Sequence, residues 1–299
     1  MTKPSKEIPK ISFRGKIPHY AYRFSHESMA TVFEIFVIND DSVYVEQAAR
    51  EAFLKLDRLE LELSRFIENS DISRINNLGR NQSIRIGLDT FDCLKQSARL
   101  TSQTDGAFDI TAGNNTRMNL LQMDESDFSV KLLADSILFD LGGFGKGYAI
   151  DSMAKLFKEW DIESVLIHGG RSSVLALAEP KGEKGWPVTL SNPAQSGQIL
   201  SHIYLKHRAM SASGLEKGHH IINPLTGEEV EDRLAAWALA SGGATSDALS
   251  TAFMVMEPEK IEDYCLRKPG TQGLVIAKNS ADDEKRNPVL RFGDWNSLT

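Results

Sequence analysis

From Val43 to Phe66, in VYVEQAAREAFLKLDRLELELSRF, apolar residues at Ala49, Ala52, Phe53, Leu56, Leu59 and Leu63 recur every three or four positions with charges between them. That period predicts a long amphipathic helix with one buried face. Ahead of it, MATVFEIFVI (Met29 to Ile38) is rich in β-branched and aromatic residues and predicts a strand. Behind it, SDISRINNLG has a capping and turn composition, SIRIG reads as a short strand, and Thr90 to Gln103 reads as a helix. From Ser136 onward strands are predicted at SILFDL, SVLIHGG, SVLALA, WPVTLS, SHIYLKHRAM and RLAAWALA. Two helices interrupt them, one after a glycine cluster at Gly142 to Gly147 and one in SDALSTAFMVM, starting near Ser246. Helices and strands in runs, with few strict βαβ repeats, predict an α+β class: mixed sheets flanked by helices in a single large domain. Residues 1–18 read as a flexible N-terminal arm and residues 19–299 as that domain.

Composition narrows the function classes. The chain has 299 residues, 41% of them hydrophobic, which suffices for a substantial core. Its 34 basic and 41 acidic residues give a net charge of −7, and no long basic cluster appears beyond the first sixteen residues, so nucleic acid is excluded as an expected partner. Cys93 and Cys265 lie far apart in helical patterns and read as buried free thiols. The N-terminus is basic but broken by prolines, with no apolar h-region, and no run approaches the length of a membrane span. The compartment expected for the sequence as it stands is the cytoplasm, or an extracytoplasmic one if a signal or lipid anchor has been trimmed.

The stretch LFDLGGFGKGYAIDSMAKLF (Leu138 to Phe157) has the composition of a phosphate cradle, because glycines admit a ligand to the backbone and the following helix offers free N–H groups. Two familiar cradles fail here. A Walker pattern ending in Gly145-Lys146 would need glycine at Asp140 and a hydroxyl at Gly147. A dinucleotide pattern from Gly143 would need glycine or alanine at Tyr148, and one from Gly142 would need glycine at Phe144. Downstream, Asp247 and Thr251 are four residues apart and share a helix face, offering a carboxylate and a hydroxyl of the kind magnesium accepts. The pair equally describes a carboxylate at a helix N-terminus and an inward-packed threonine. His220 in HHIINPLTG sits beside a turn, where a general base or a hydrogen-bonded structural histidine is equally at home. IHGGRSS is like an esterase oxyanion strand, but no G-x-S-x-G elbow exists to complete it. Asp109 in GAFDIT could bind a ligand or satisfy neighbouring backbone N–H groups.

Taken in order, the stretches Met29 to Thr31 (MAT), Leu63 to Asn76 (LSRFIENSDISRIN), Asp105 to Gly113, Asp140 to Asp151 (DLGGFGKGYAID), His168 to Gly170, Ser211 to Gly214 (SASG), His220 to Gly227 (HIINPLTG) and Ser246 to Met256 carry a resemblance. Over nearly its whole length the chain resembles the ApbE family of FAD:protein FMN transferases. The resemblance implies FAD as substrate, magnesium (Mg2+) as cofactor, cleavage of the pyrophosphate with release of AMP, and FMN attached by a phosphoester to Thr or Ser of an acceptor protein carrying a Gly-Ala-Thr/Ser-type motif. It assigns metal ligation to the Gly145 carbonyl, Asp247 and Thr251, and catalysis to His220 as base together with Asp247. Flavin or adenosine contacts fall on Met29, Ala107, Phe108, Asp109, Gly143, Ile222, and the helix from Lys146 that carries Asp151. Three positions depart from the family pattern: Ala30 replaces its usual glycine, Asn223 an aspartate and Arg171 an acidic residue. An FAD pyrophosphatase of the same fold, or a non-catalytic flavin-binding protein, is the alternative. The chain also holds its own Gly-Ala-Thr, ending at Thr245, which is expected to serve as a helix cap or supporting residue.

Overall fold

The computed structural model describes residues 11–12, 21–111, 117–193, 195, 197–215, 221–278 and 287–298. The chain opens with β1 (Ile11–Ser12), followed by the hairpin β2 (Tyr22–Ser28) and β3 (Thr31–Val37). Helices α1 (Ser42–Leu63) and α2 (Asp71–Asn76) lead into β4 (Ser83–Arg85) and α3 (Leu88–Gln103). Next come β5 (Leu121–Asp124), β6 (Ser129–Leu132) and α4 (Gly145–Glu159). Strands β7 (Val165–Gly169), β8 (Ser173–Ala176), β9 (Trp186–Ser191), β10 (Ile199–Leu205), β11 (Arg208–Gly214) and β12 (Arg233–Ala240) follow. The chain closes with α5 (Gly243–Ala252), α6 (Pro258–Arg267), β13 (Gln272–Ala277) and β14 (Val289–Phe292).

Eight strands form the central sheet in the order β14-β13-β12-β11-β8-β7-β3-β2, with small sheets β1-β9-β10 and β4-β6-β5 beside it. The α+β class expected from sequence is present, and among the described residues every ladder is antiparallel. Period-2 alternation gives the central sheet two apolar faces. Phe33, Ile35, Ile167, Ala236 and Ala238 face a helical layer that contributes Leu56, Leu59, Ile150, Met153 and Leu249. Phe36, Leu166, Trp237 and Leu239 face the opposite way and pack on Trp186, Val188 and Leu190 of β9 and Ile203 and Leu205 of β10. Three layers result, with the cleft described below on the helical side.

Helix α1 begins where Asp41 accepts N–H bonds from Val43 and Tyr44, and its seven buried residues follow the predicted stripe. Three predictions need correction. Ser136 to Leu141 joins no ladder: Ser136 is a bend with φ of 59°, Phe139 makes both backbone bonds to the Asn76 side chain, at 2.8 Å and 3.1 Å, and the Asp140 N–H goes to Ile110 O. SHIYLKHRAM is two strands in two sheets, turned at His207 with φ of 50° and no glycine or proline to mark it. Finally, α5 starts at Gly243, with Thr245 inside its first turn and Gly242 as N-cap, so Thr245 is not the cap. Of the stretch read as the 1–18 arm only Ile11–Ser12 is among the described residues, paired with Leu190 and Thr189 of β9.

Candidate functional site

A cleft of about 750 Å³ opens between the helical layer and the ends of the central strands. It is lined by the β2–β3 turn (Met29, Ala30, Thr31), the α1–α2 junction (Ser64, Arg65, Phe66), the Ala107–Ile110 loop, the glycine segment before α4, the β7–β8 turn, the end of β11, the Ile221–Pro224 segment, and Asp247 and Thr251 of α5. Seven sequence-distant segments thus meet at one place with α5.

Asp247 is the centre of the floor. The residue is only 2% exposed, and its Oδ2 accepts the Gly147 N–H at 2.9 Å. The Lys146 ammonium stands 4.0 Å from the same oxygen and donates to the Gly142 carbonyl at 3.2 Å. On the other oxygen Ser173 Oγ lies at 3.5 Å. One turn along α5, Thr251 Oγ1 lies 3.1 Å from Ser213 Oγ of β11. Gly143 passes so close that a Cβ there would come within 2.8 Å of the Thr251 hydroxyl. The N-cap residue of α4, Phe144, makes no side-chain bond to its own helix, and the first-turn N–H groups of Gly145 and Gly147 go instead to the Leu141 carbonyl at 2.7 Å and to Asp247, so the positive dipole end of α4 sits at Asp247 beside the cleft.

The other walls are apolar and cationic. Ala107 and Phe108 are buried, and the Phe108 ring lies 5.8 Å from that of Phe144. Arg65 pairs with Asp140 at 3.3 Å and lies 4.6 Å over the ring of Phe66, itself 83% exposed at the rim. Arg171 stands exposed in the β7–β8 turn, where Gly170 takes φ of 66° against Thr31.

A family model described as the ApbE family matches residues 29–119 and 114–275, nearly the whole of the described domain. The chain belongs to the ApbE family. It is similar to the FAD:protein FMN transferase of Klebsiella pneumoniae (strain 342), 22% identical over 293 residues, covering 84% of this chain and 83% of that protein. It is equally similar to the Escherichia coli (strain K12) protein of the same name, 22% identical over 297 residues with the same coverage. The structure of the flavin transferase ApbE from Vibrio cholerae superposes with a TM-score of 0.81 at 19% identity, covering 93% of this chain and 100% of that one. The Pseudomonas stutzeri flavinyl transferase ApbE in its apo form gives 0.79 at 20% identity, covering 91% and 94%.

Of the residues that the ApbE resemblance singles out, Met29, Ala107, Phe108, Asp109, Gly143, Gly145, Lys146, Ile222, Asp247 and Thr251 all line the cleft. His220 lies outside the described residues. Asp151 is placed elsewhere: it does not line the cleft, and its carboxylate accepts the Gly243 and Ala244 N–H groups at 2.6 Å and 2.8 Å, closing the start of α5. Burial raises the Asp151 carboxyl above the ordinary range, opposed by those two N–H bonds. Asp109 reaches the cleft, but its oxygens already accept from Thr111 N–H and O–H and from Met118 N–H, so the backbone-satisfying alternative describes it. Asn223 caps a turn through the Leu225 N–H at 2.9 Å, work that an aspartate oxygen would do equally. His168 faces the other side of the sheet, edge-on to Phe36, and full burial pushes its pKa down to about 4. The sequence reading missed Arg65, Phe66, Ser173 and Ser213. The first two stand inside LSRFIENSDISRIN, and the serines carry no signal beyond their places in IHGGRSS and SASG.

Proposed function

We propose that this chain is a magnesium-dependent FAD:protein FMN transferase, in which FMN passes from FAD to a threonine or serine hydroxyl of an acceptor protein and AMP is released. Membership of the ApbE family and the relatives named FAD:protein FMN transferase support the flavin transferase part of this reading. The observation that carries the site assignment is the buried Asp247 with Thr251 one turn further, both opening on the cleft beside Lys146 and the start of α4.

The donor set fits magnesium. Asp247 is a buried carboxylate with a single close backbone donor on Oδ2, Thr251 adds a hydroxyl and Gly145 a backbone carbonyl at the same wall, and all three are hard oxygen donors with no thiolate or imidazole among them. Magnesium bound there would draw charge from the pyrophosphate as it is cleaved. The chain's own residues do the rest. Lys146 and the positive dipole end of α4 set positive charge beside the phosphates, and such preorganised electrostatics is the dominant aid to phosphoryl-type transfer. Phe108 and Met29 supply apolar surface for an aromatic ring system. The acceptor oxygen forms its bond to the FMN phosphorus, the bond from that phosphorus to the oxygen bridging to AMP breaks, and the hydroxyl proton passes to His220 as base.

Incubation with FAD, magnesium and an acceptor bearing a Gly-Ala-Thr/Ser segment, read by intact mass, tests this. An FMN adduct on the acceptor is expected. FMN and AMP with no adduct would replace the reading by a pyrophosphatase, and intact FAD by a flavin-binding protein.

A further inference from the structure

Strand β11 runs along α5, and two hydroxyl pairs join them: Ser211 Oγ lies 2.9 Å from Ser246 Oγ, and Ser213 Oγ lies 2.9 Å from Ser250 Oγ. Residues two apart on a strand and four apart on a helix share a face, so the two rungs are parallel. In each rung the helical serine donates back into its own turn, Ser246 to the Gly243 carbonyl at 3.0 Å and Ser250 to the Asp247 carbonyl at 2.9 Å. A hydroxyl has one proton and two lone pairs. With its proton committed to Asp247, Ser250 can only accept from Ser213. The Ser213 proton is then committed too, and its free lone pair faces Thr251 Oγ1 at 3.1 Å. The Asp247 carbonyl is a poorer target for Thr251, at 3.3 Å, because it already takes the Ser250 hydroxyl and the helical N–H of Thr251. The Thr251 proton therefore turns toward Ser213.

We propose that Ser213 is a positioning residue: the ordered chain from Thr251 through Ser213 and Ser250 to the Asp247 carbonyl draws the Thr251 proton away from the cleft and presents that oxygen, as an acceptor only, to a divalent cation. This rests on the transferase reading above, in which Asp247 and Thr251 hold magnesium. The Ser211 rung is a built-in control for the loss of a serine–serine bond between β11 and α5, since it has the same 2.9 Å spacing but is fully buried and ends at Ser246, away from Thr251.

The test titrates manganese(II), alone, onto the full chain and follows the free ion by paramagnetic resonance, with thermal melting of the metal-free proteins alongside. Ser213→Ala is expected to weaken manganese binding about tenfold, the size of one lost hydrogen bond at this site. Ser213→Thr, which restores the hydroxyl, is expected to recover most of that loss. Ser211→Ala is expected to lower the melting temperature with manganese affinity unchanged. If Ser213→Ala binds manganese as tightly as the parent while Asp247→Asn loses it, this inference is overturned and the transferase reading stands. Should Asp247→Asn bind manganese unchanged, both fall. Ser250→Ala breaks the same chain one link further on and is read by the same criteria where Ser213→Ala does not fold.

Discussion

The start of α4, in Gly142-Gly143-Phe144-Gly145-Lys146-Gly147, and the start of α5, in Gly242-Gly243-Ala244, are both glycine-rich, and neither N-cap residue bonds its own helix through a side chain. What happens to their free N–H groups differs. At α5 the Asp151 carboxylate, reaching across from α4, takes the Gly243 and Ala244 N–H groups and shuts the helix end inside the protein. At α4 the Asp247 carboxylate, reaching back from α5, takes only the Gly147 N–H, and the end lines the cleft with the Lys146 ammonium beside it. None of these glycines takes a positive φ. Two of them are present for space: Gly147 and Gly243 lie against each other, so that a Cβ on the first would come 2.2 Å from the Gly243 carbonyl oxygen and one on the second 2.5 Å from that of Gly147. A glycine cluster before a helix therefore has two readings, a cradle or a close helix crossing, and here one segment serves both.

Gly147→Ala breaks the crossing directly. With backbone on both sides nothing flexible can give way, and the expected loss of stability is upwards of about 4 kcal/mol, with little folded protein at 37 °C. Urea unfolding of the two proteins measures it. A loss under about 1 kcal/mol would mean that the helices part easily and that Gly147 is not there for space.

Asp151→Ala comes next, because it leaves two buried N–H groups without acceptors, at an expected cost of about 2–3 kcal/mol. The pH dependence separates capping from bulk. Burial holds the folded Asp151 carboxyl above its ordinary value of 3.8, so the folded protein binds this proton more tightly than the unfolded chain does. Its contribution to stability is therefore greatest below 3.8 and falls as pH rises through the raised folded value. Asp151→Asn keeps one acceptor and removes the titration, so its stability should vary less with pH across that window in thermal melts at a series of pH values. An unchanged pH profile would remove Asp151 from the account.

How much of this was legible in the residues depends on where each partner lies. The stripe from Ala49 to Leu63 named α1 because the helix carries its own period and its own cap, Asp41. Asp247 and Thr251 could be put on one face because four residues of helix fix that without any neighbour. The start of α5 could not be read, since its cap is a carboxylate more than ninety positions earlier. Neither could the loss of a ladder at Ser136 to Leu141, where one side chain, Asn76, replaces a partner strand. Ser213 and Ser173 were invisible for the same reason: a serine in a strand has no pattern until the element beside it is known. The resemblance found most of the cleft lining, because it carries tertiary information, and it misplaced Asp151, whose neighbour in sequence lines the cleft while its own side chain turns away.

Gly145→Ala sharpens the contrast inside the α4 segment. A Cβ there would meet only Leu141 Cβ at 3.7 Å, an ordinary contact. Helix propensity then favours alanine, and a gain of up to about 1 kcal/mol is expected, with the backbone carbonyl left in place. Chemical denaturation, run beside Gly147→Ala, should show opposite signs two residues apart. A destabilised Gly145→Ala would mean that the segment needs its glycines for freedom and not for room.

The smallest effect is expected at Ala30, where the logic of space reverses. Met29 and Ala30 form the β2–β3 turn with φ of 50° and 56°, both left-handed, and neither is glycine. A left-handed residue with a Cβ costs on the order of 1 kcal/mol. Ala30→Gly relieves that cost at one position, but it also gives the unfolded chain more freedom, which costs about 0.4–1 kcal/mol. The two nearly cancel, and the melting temperature should move by no more than a degree or two. Because Ala30 lines the cleft, its methyl has a second possible use, against the ligand. The variant separates the two: if stability holds and FAD affinity by calorimetry holds as well, Ala30 only fills the turn. A fall in affinity at constant stability would make the methyl a contact, and a loss of stability above about 1 kcal/mol would show that packing around the turn outweighs its strain.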